Sequence, residues 1–229
     1  MKIYFVRHGH PNYEKDCLTD LGKKQAKKAA ERLVDSGITQ IFASTKGRAL
    51  ETAAYTAEVL GLPVVGCDFM REISWHAIPG TGKVIDAHPW NAADNYVLNG
   101  EDLTDVNWSE KDPFRDSVVM ECVDTVVAGF DAFMAGLGYE REGDYYRVTG
   151  TETDKTIAIF SHGGSSSAVM SHLLNIPFPQ VCGFLQLDFT SITIFELSGK
   201  IGTLTYPKLV MSNDARHIQG ITVGNVFES

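Results

Sequence analysis

The sequence predicts an α/β protein: a three-layer sandwich with a mainly parallel central sheet, helices on both of its faces, and a small cap insertion. Three observations predict it. Short apolar runs rich in β-branched and aromatic residues, Lys2 to Val6, Ile38 to Ala43 and Thr156 to Phe160, end abruptly in polar or glycine-rich segments. Amphipathic stretches long enough for helices lie between and after them. Residues 73–121 fit neither pattern, holding all three tryptophans (Trp75, Trp90, Trp108) and no sustained period.

The first strand breaks at Arg7-His8-Gly9-His10-Pro11. Thr19 then opens a helix with Gly22, Ala26, Ala29, Ala30 and Leu33 on its inner side. Its Lys23, Lys24, Lys27 and Lys28 form a solvated outer face rather than a binding patch. A second strand, Ile38 to Ala43, leads to Ser44-Thr45, expected to cap a second helix through Leu60, with Gly61 and Pro63 as stop signals. Val64-Val65 begins a third strand. Val118 to Leu137 is helical, Thr149 to Asp154 a polar connection, and Thr156 to Phe160 the clearest strand, followed by a helix from about Ser165 to Leu174. Leu185 to Leu197 and Ile201 to Tyr206 are expected to form a late antiparallel pair. The whole of 1–229 reads as one domain, because 73–121 is too short and irregular for its own core.

Composition excludes several classes. A hydrophobic content of 44% places the chain among globular proteins rather than disordered ones. No apolar run approaches the ~18–20 residues of a membrane span, and the four apolar positions before Arg7 fall short of a secretory core of roughly 7–15. A net charge of −9 disfavours nucleic acid and anionic membranes as partners, but not one small anion held by a local cluster. Cys17, Cys67, Cys122 and Cys182 stand far apart, without metal-ligand pairing, and read as reduced buried thiols. A cytoplasmic protein is expected.

Ligands of open α/β sheets bind beyond the carboxyl ends of the strands. Two strands here end alike, in Arg7-His8-Gly9 and in Ser161-His162-Gly163-Gly164, where glycine clears space for close approach. Arg48 follows the second strand and Glu72 the short strand of residues 64–69. Two histidines, two arginines and a glutamate are thus expected at strand ends, from separate segments.

These residues carry a resemblance. Arg7-His8-Gly9 resembles the signature of the histidine phosphatase superfamily, the phosphoglycerate mutase-like proteins. Leu18-Thr19-Asp20-Leu21-Gly22-x-x-Gln25-Ala26 is similar to its first-helix motif, and Ser44-x-x-x-Arg48-Ala49-x-x-Thr52-Ala53 to its second arginine motif. Arg71-Glu72-Ile73 resembles its acid/base segment, Ser161-His162-Gly163-Gly164 its second histidine, and Leu187-Asp188-Phe189-Thr190-Ser191-Ile192, more weakly, its closing strands. The resemblance implies a phosphomonoesterase of the histidine acid-phosphatase type acting on a small phosphorylated metabolite. His8 would be the nucleophile and Glu72 the acid/base. Arg7, Arg48, His162 and the Gly163 N–H would cage the phosphoryl group, with no metal or cofactor. A mutase-type phosphoryl transfer and a weakly active phospho-ligand-binding member remain alternatives.

The chemistry fits those residue types. Planar guanidiniums match phosphoryl oxygens, and a helix N-terminus favours an anion. A neutral imidazole can attack phosphorus. Phosphomonoester hydrolysis can be accelerated by up to ~10²¹, whereas a general acid supplies ~10²–10⁴, so the His/Arg cage must carry the larger part. His10 stands where the family commonly has Glu or Gln; it could contact substrate or merely pack, and a metal site with His8 lacks a completing carboxylate. The three basic and nine acidic residues of 73–121 argue for hydrolysis over a doubly anionic mutase substrate. Gly80-Thr81-Gly82-Lys83 fails as a phosphate loop, since Ala77 and Val84 stand where glycine and Ser/Thr are needed. A serine esterase built on Ser165, with Asp188 or Asp214 and His217, is the distant alternative. Asn213, Asp214 and His217 otherwise read as structural.

Overall fold

The computed structural model describes residues 1–74, 89–115, 117–150 and 154–221. In chain order the elements are β1 (Lys2–Arg7), β2 (Pro11–Asn12), β3 (Cys17–Leu18), α1 (Asp20–Leu33), β4 (Gln40–Ser44), α2 (Gly47–Leu60) and β5 (Val64–Cys67). There follow α3 (Pro89–Leu98), α4 (Val118–Gly136), β6 (Tyr139–Glu142), β7 (Tyr145–Val148), β8 (Thr156–Ser161), α5 (Gly163–Leu174), α6 (Phe178–Phe184), β9 (Ile192–Glu196), β10 (Leu204–Thr205) and β11 (Lys208–Asp214).

Six strands form the central sheet in the order β11-β9-β1-β8-β4-β5. β1, β8, β4 and β5 run parallel; β9 is antiparallel to β1, and β11 to β9. Strands covered on both faces are apolar throughout, because both sides of the pleat are core. Ile3 and Phe5 of β1 and Ile157 and Ile159 of β8 join the cluster with Val126 and Phe130 of α4 and Val169 of α5. Val6, Ala158 and Phe160 face the other way, against Leu33 of α1 and Ala53 of α2. That alternation makes the three layers. Register matters for function: Arg7 is opposite Ser161, Phe160 opposite Ala43, and Ser44 opposite Cys67, so the parallel strands end at one level.

Three expectations change. The late antiparallel pair is β9 with β11, not with Ile201 to Tyr206; in that stretch only Leu204–Thr205 is a strand, and it pairs with β7. Alternating apolar residues mark a strand but not its partner, which is chosen at long range. Ser44 and Thr45 do not cap α2: its N-cap is Lys46, with no side-chain cap. Residues 139–148 form a hairpin and 178–184 a helix that the pattern did not signal. In the cap region, α3 is helical, and Tyr96 and Phe114 are fully buried in the same core cluster as Phe178 of α6. Residues 80–83, offered as a failed phosphate loop, lie outside the described residues, as does Trp75. Among the described residues no helix is long and apolar enough to cross a membrane.

Two glycine contacts bring α1 and the end of β1 together. A Cβ on Gly22 would sit 2.2 Å from the His10 carbonyl oxygen, and one on Gly9 2.7 Å from the Gly22 carbonyl oxygen. Helix α1 therefore presses its backbone directly on the chain that carries His8. Thr19 caps the helix by accepting from the Gly22 N–H at 3.1 Å, and Gln25 Oε1 accepts the His10 N–H at 2.8 Å. Gly22→Ala is expected to destabilise the protein by about 1–3 kcal/mol through backbone overpacking. Gly136→Ala, where a Cβ meets nothing within 4 Å, is expected to be neutral or stabilising by up to about 1 kcal/mol. Chemical denaturation of the two variants checks the pair.

Candidate active site

Each parallel strand delivers its polar residue where its backbone leaves the sheet. β1 ends at Arg7 and hands on His8, whose N–H donates to the Ser161 carbonyl at 2.9 Å. β8 ends at Ser161 and hands on His162, the N-cap of α5. The imidazoles of His8 and His162 stand 5.1 Å apart, edge to face, and both are buried.

His8 is gripped on both ring nitrogens. Nδ1 lies 2.7 Å from the Gly9 carbonyl oxygen, which can only accept, so Nδ1 carries the proton. Nε2 keeps its lone pair and accepts from Arg48 Nε–H at 3.3 Å. Burial, reinforced by the Arg7 charge, holds this imidazole well below the usual histidine value. His162 is lowered in the same way, by burial first and then by His8 and the arginines. Both are neutral at physiological pH.

Arg7 and Arg48 are 6% and 7% exposed. Arg48 is set by Asp16, which sequence reasoning missed. Asp16 Oδ1 accepts from Arg48 Nη1 at 2.6 Å, and its Oδ2 accepts the Gly47 N–H at 2.8 Å. Asp16 adopts a left-handed conformation, φ 47°, and a Cβ at Gly47 would fall 2.1 Å from its carbonyl oxygen. The loop and the start of α2 are thus in backbone contact, which only glycine permits. A lone aspartate in a polar loop gives no signal in the sequence. Arg7 donates through Nη1 to the Leu187 carbonyl and lies 4.2 Å over the Phe189 ring. Phe189 also packs against His8 and His10, at 5.8 and 5.4 Å between ring centroids.

The segment Leu187 to Ser191 therefore backs the site, ahead of the strand it was expected to belong to. Thr190, at φ 56°, donates its N–H to the Arg7 carbonyl at 3.0 Å, and its hydroxyl pairs with His217 Nε2 at 3.1 Å. Asn213 braces Asp188 from behind through two hydrogen bonds. Thr52 of the arginine motif accepts the Gly9 N–H at 3.0 Å. His10 packs: its Nδ1 pairs with Thr19 Oγ1 at 2.9 Å, outside the pocket's hydrogen bonds.

Glu72 reaches the N-terminus of α5. Its Oε1 accepts from the backbone N–H groups of Ile73, Gly164 and Ser165 at 3.0, 3.0 and 3.2 Å. Burial pushes its carboxyl above the ordinary glutamate value, against the pull of Ile73's N–H and the two arginines. The helix terminus expected to serve the anion is thus shared. Glu72 takes two amides, while among the described residues no acceptor takes the Gly163 amide, beside which a Cβ would lie 3.8 Å from Arg7 Nε.

The esterase alternative fails on geometry. Ser165 donates its hydroxyl to the Met70 carbonyl, and His217 is committed to Thr190, so among the described residues no imidazole is hydrogen-bonded to that serine. Among the described residues no group of three or more His, Cys, Asp or Glu is placed to hold a metal ion. Of the thiols, Cys67 and Cys182 are buried but Cys17 and Cys122 only partly so.

The profile of the histidine phosphatase superfamily, branch 1, matches residues 3–206. The chain belongs to this superfamily. A provisionally named phosphoserine phosphatase 2 of Hydrogenobacter thermophilus is 24% identical over 217 residues, 90% of this chain and 94% of that protein. A provisionally named phosphoglycerate mutase of Yersinia pestis is 34% identical, but over 83 residues, 32% of this chain and 39% of its own length. Among solved structures, phosphoserine phosphatase of Entamoeba histolytica in complex with 3-phosphoglyceric acid superposes with a TM-score of 0.63 at 23% identity, covering 95% of this chain and 98% of that one. Mycobacterial glucosyl-3-phosphoglycerate phosphatase with bound VO3 gives 0.60 at 22%, covering 93% and 98%. These likenesses confirm the α/β fold with its mostly parallel sheet.

In this superfamily member two guanidiniums, two neutral imidazoles and the Gly163 amide lie together beyond the ends of the parallel strands. Inorganic phosphate at 100 times its Kd is expected to raise stability by about 2.7 kcal/mol. Arg48→Ala should abolish most of that gain, and Asp16→Asn should weaken phosphate binding about tenfold by loosening Arg48. Thermal unfolding across a phosphate titration measures both.

Proposed function

We propose that the protein is a phosphomonoesterase that hydrolyses a small phosphorylated metabolite through a phosphohistidine at His8, with no metal or cofactor. The observation that carries this reading is the state of His8: neutral, protonated on Nδ1, and presenting the Nε2 lone pair beneath Arg48. In the first step the Arg48 Nε–H turns from Nε2 to a phosphoryl oxygen, the freed Nε2 lone pair bonds to phosphorus as the ester P–O bond breaks, and Glu72 gives its proton to the departing oxygen. The imidazole becomes cationic, and its Nδ1–H donates to the Gly9 carbonyl. In the second step Glu72 takes a proton from water, the water oxygen bonds to phosphorus, and the N–P bond breaks to release inorganic phosphate. Arg7, Arg48, His162 and the Gly163 N–H balance charge on the phosphoryl oxygens throughout.

Hydrolysis is favoured over mutase transfer because the similarity to a phosphoserine phosphatase runs almost end to end, whereas that to the mutase covers a third of the chain. The phosphatases named among the relatives act on phosphorylated three-carbon acids or their derivatives, and that class heads the substrate screen. Release of inorganic phosphate supports this reading. Exchange of phosphate between glycerate positions without net release overturns it.

Rapid quench should trap an acid-labile phosphoenzyme in the wild type and none in His8→Ala; a phosphoenzyme surviving that substitution overturns the assignment. The pH profile follows from the two shifts. His8 lies below 6.5, so the neutral nucleophile persists into acid. Glu72 lies above 4.5, so the protonated acid persists upward from there. His8 should therefore set the acid limb of turnover, below the ordinary histidine value, and Glu72 the alkaline limb, above the ordinary glutamate value. Glu72→Gln should remove the alkaline limb and cost about 10²–10⁴ in kcat on alkyl phosphates, with a much smaller loss on p-nitrophenyl phosphate. Equal losses on both esters would count against the role.

A further inference from the structure

Ser44, the last residue of β4, was expected to cap α2 and does not; it is fully buried and turned to His162 instead. Its Oγ has two hydrogen-bonding neighbours, the Lys46 N–H at 3.3 Å and His162 Nε2 at 2.8 Å. The Lys46 amide can only donate, so it occupies a lone pair of Oγ. The hydroxyl hydrogen still needs an acceptor, and leaving a buried donor unmet is costly. Among the described residues the acceptor in reach is His162 Nε2. A neutral imidazole carries one proton, so accepting at Nε2 places that proton on Nδ1. His162 Nδ1 is buried and has no partner among the described residues, although its ring stands edge-on to the nucleophile.

We propose that Ser44 is a positioning residue that locks His162 in its Nδ1–H tautomer, making it a neutral hydrogen-bond donor to the transferring phosphoryl group. The catalytic half of this statement rests on the phosphatase reading above; the tautomer half does not. Both active-site imidazoles then carry their proton on Nδ1 but play opposite parts. The Gly9 carbonyl consumes the His8 N–H and leaves a lone pair for phosphorus. The Ser44 hydroxyl consumes the His162 lone pair and leaves an N–H for the phosphoryl oxygens. Without Ser44, His162 can move its proton to Nε2 and set a lone pair against an anion.

Histidine-labelled protein at neutral pH, observed by long-range ¹H–¹⁵N correlation, reads the tautomer directly. His162 should carry its proton on Nδ1 in the wild type and in Ser44→Thr, and on Nε2 or on both nitrogens in turn in Ser44→Ala. His8 should stay Nδ1-protonated in all three, which reports an intact site. Turnover of p-nitrophenyl phosphate should fall about 10- to 100-fold in Ser44→Ala and recover in Ser44→Thr. A wild-type proton on Nε2, an Nδ1–H retained in Ser44→Ala, or an unchanged kcat in that variant overturns the proposal. If the wild type hydrolyses no ester while the tautomer still follows Ser44 and added inorganic phosphate shifts the His162 Nδ1–H resonance, the proposed function fails and the positioning role stands.

Discussion

Two guanidiniums buried in one pocket are the constraint around which the rest of the molecule is arranged. Like charges taken out of water repel and lose hydration, and each must be compensated by its neighbours. Arg48 is compensated by the Asp16 carboxylate, and Arg7 by the Leu187 carbonyl and the face of Phe189. The same two charges explain the histidines. Burial disfavours imidazolium, and the neighbouring cations disfavour it further, so both rings stay neutral. Two neutral imidazoles follow from burial first and from the neighbouring cations second.

That arrangement depends on backbone approach as much as on side chains. Gly22 lets α1 touch the chain after His8, and Gly47 lets α2 touch Asp16. Thr52 and Gln25 then hold the Gly9 and His10 amides, so the chain just after His8 is hydrogen-bonded by both helices. Gln25 and Thr52, motif positions on α1 and α2, act here as clamps. Rigidity of this kind fixes the polar groups relative to one another, and positioning is a large contribution to any phosphoryl transfer.

The cap carries its charge differently from what composition suggests. Lys111 is held by Glu101 at 2.7 Å and Asp105 at 2.5 Å, and Arg115 lies 3.7 Å from Asp112. Among the described residues three of these carboxylates are thus paired with the cap's own cations, which weakens acidity as an argument about substrate charge. Preference for hydrolysis rests better on the extent of the similarity to a phosphatase. Beneath the charges, Tyr96, Phe114 and Trp108 pack toward Phe178 of α6, so the cap's apolar side is continuous with the main core.

The sequence by itself determined the layered α/β class and the chief strands and helices, because strand period, helix period and glycine placement are local signals; it placed Arg7, His8, Arg48 and His162 at strand ends, and singled out Glu72 by resemblance to a family segment. Tertiary structure alone decided the partner of β9, the use of Ser44 on His162 rather than on α2, and the roles of Asp16, Phe189 and Thr190. Those choices set residues far apart in the chain against one another. No spacing rule records them, since a hydroxyl or a carboxylate takes its meaning from whichever donor the folded backbone brings within 3 Å.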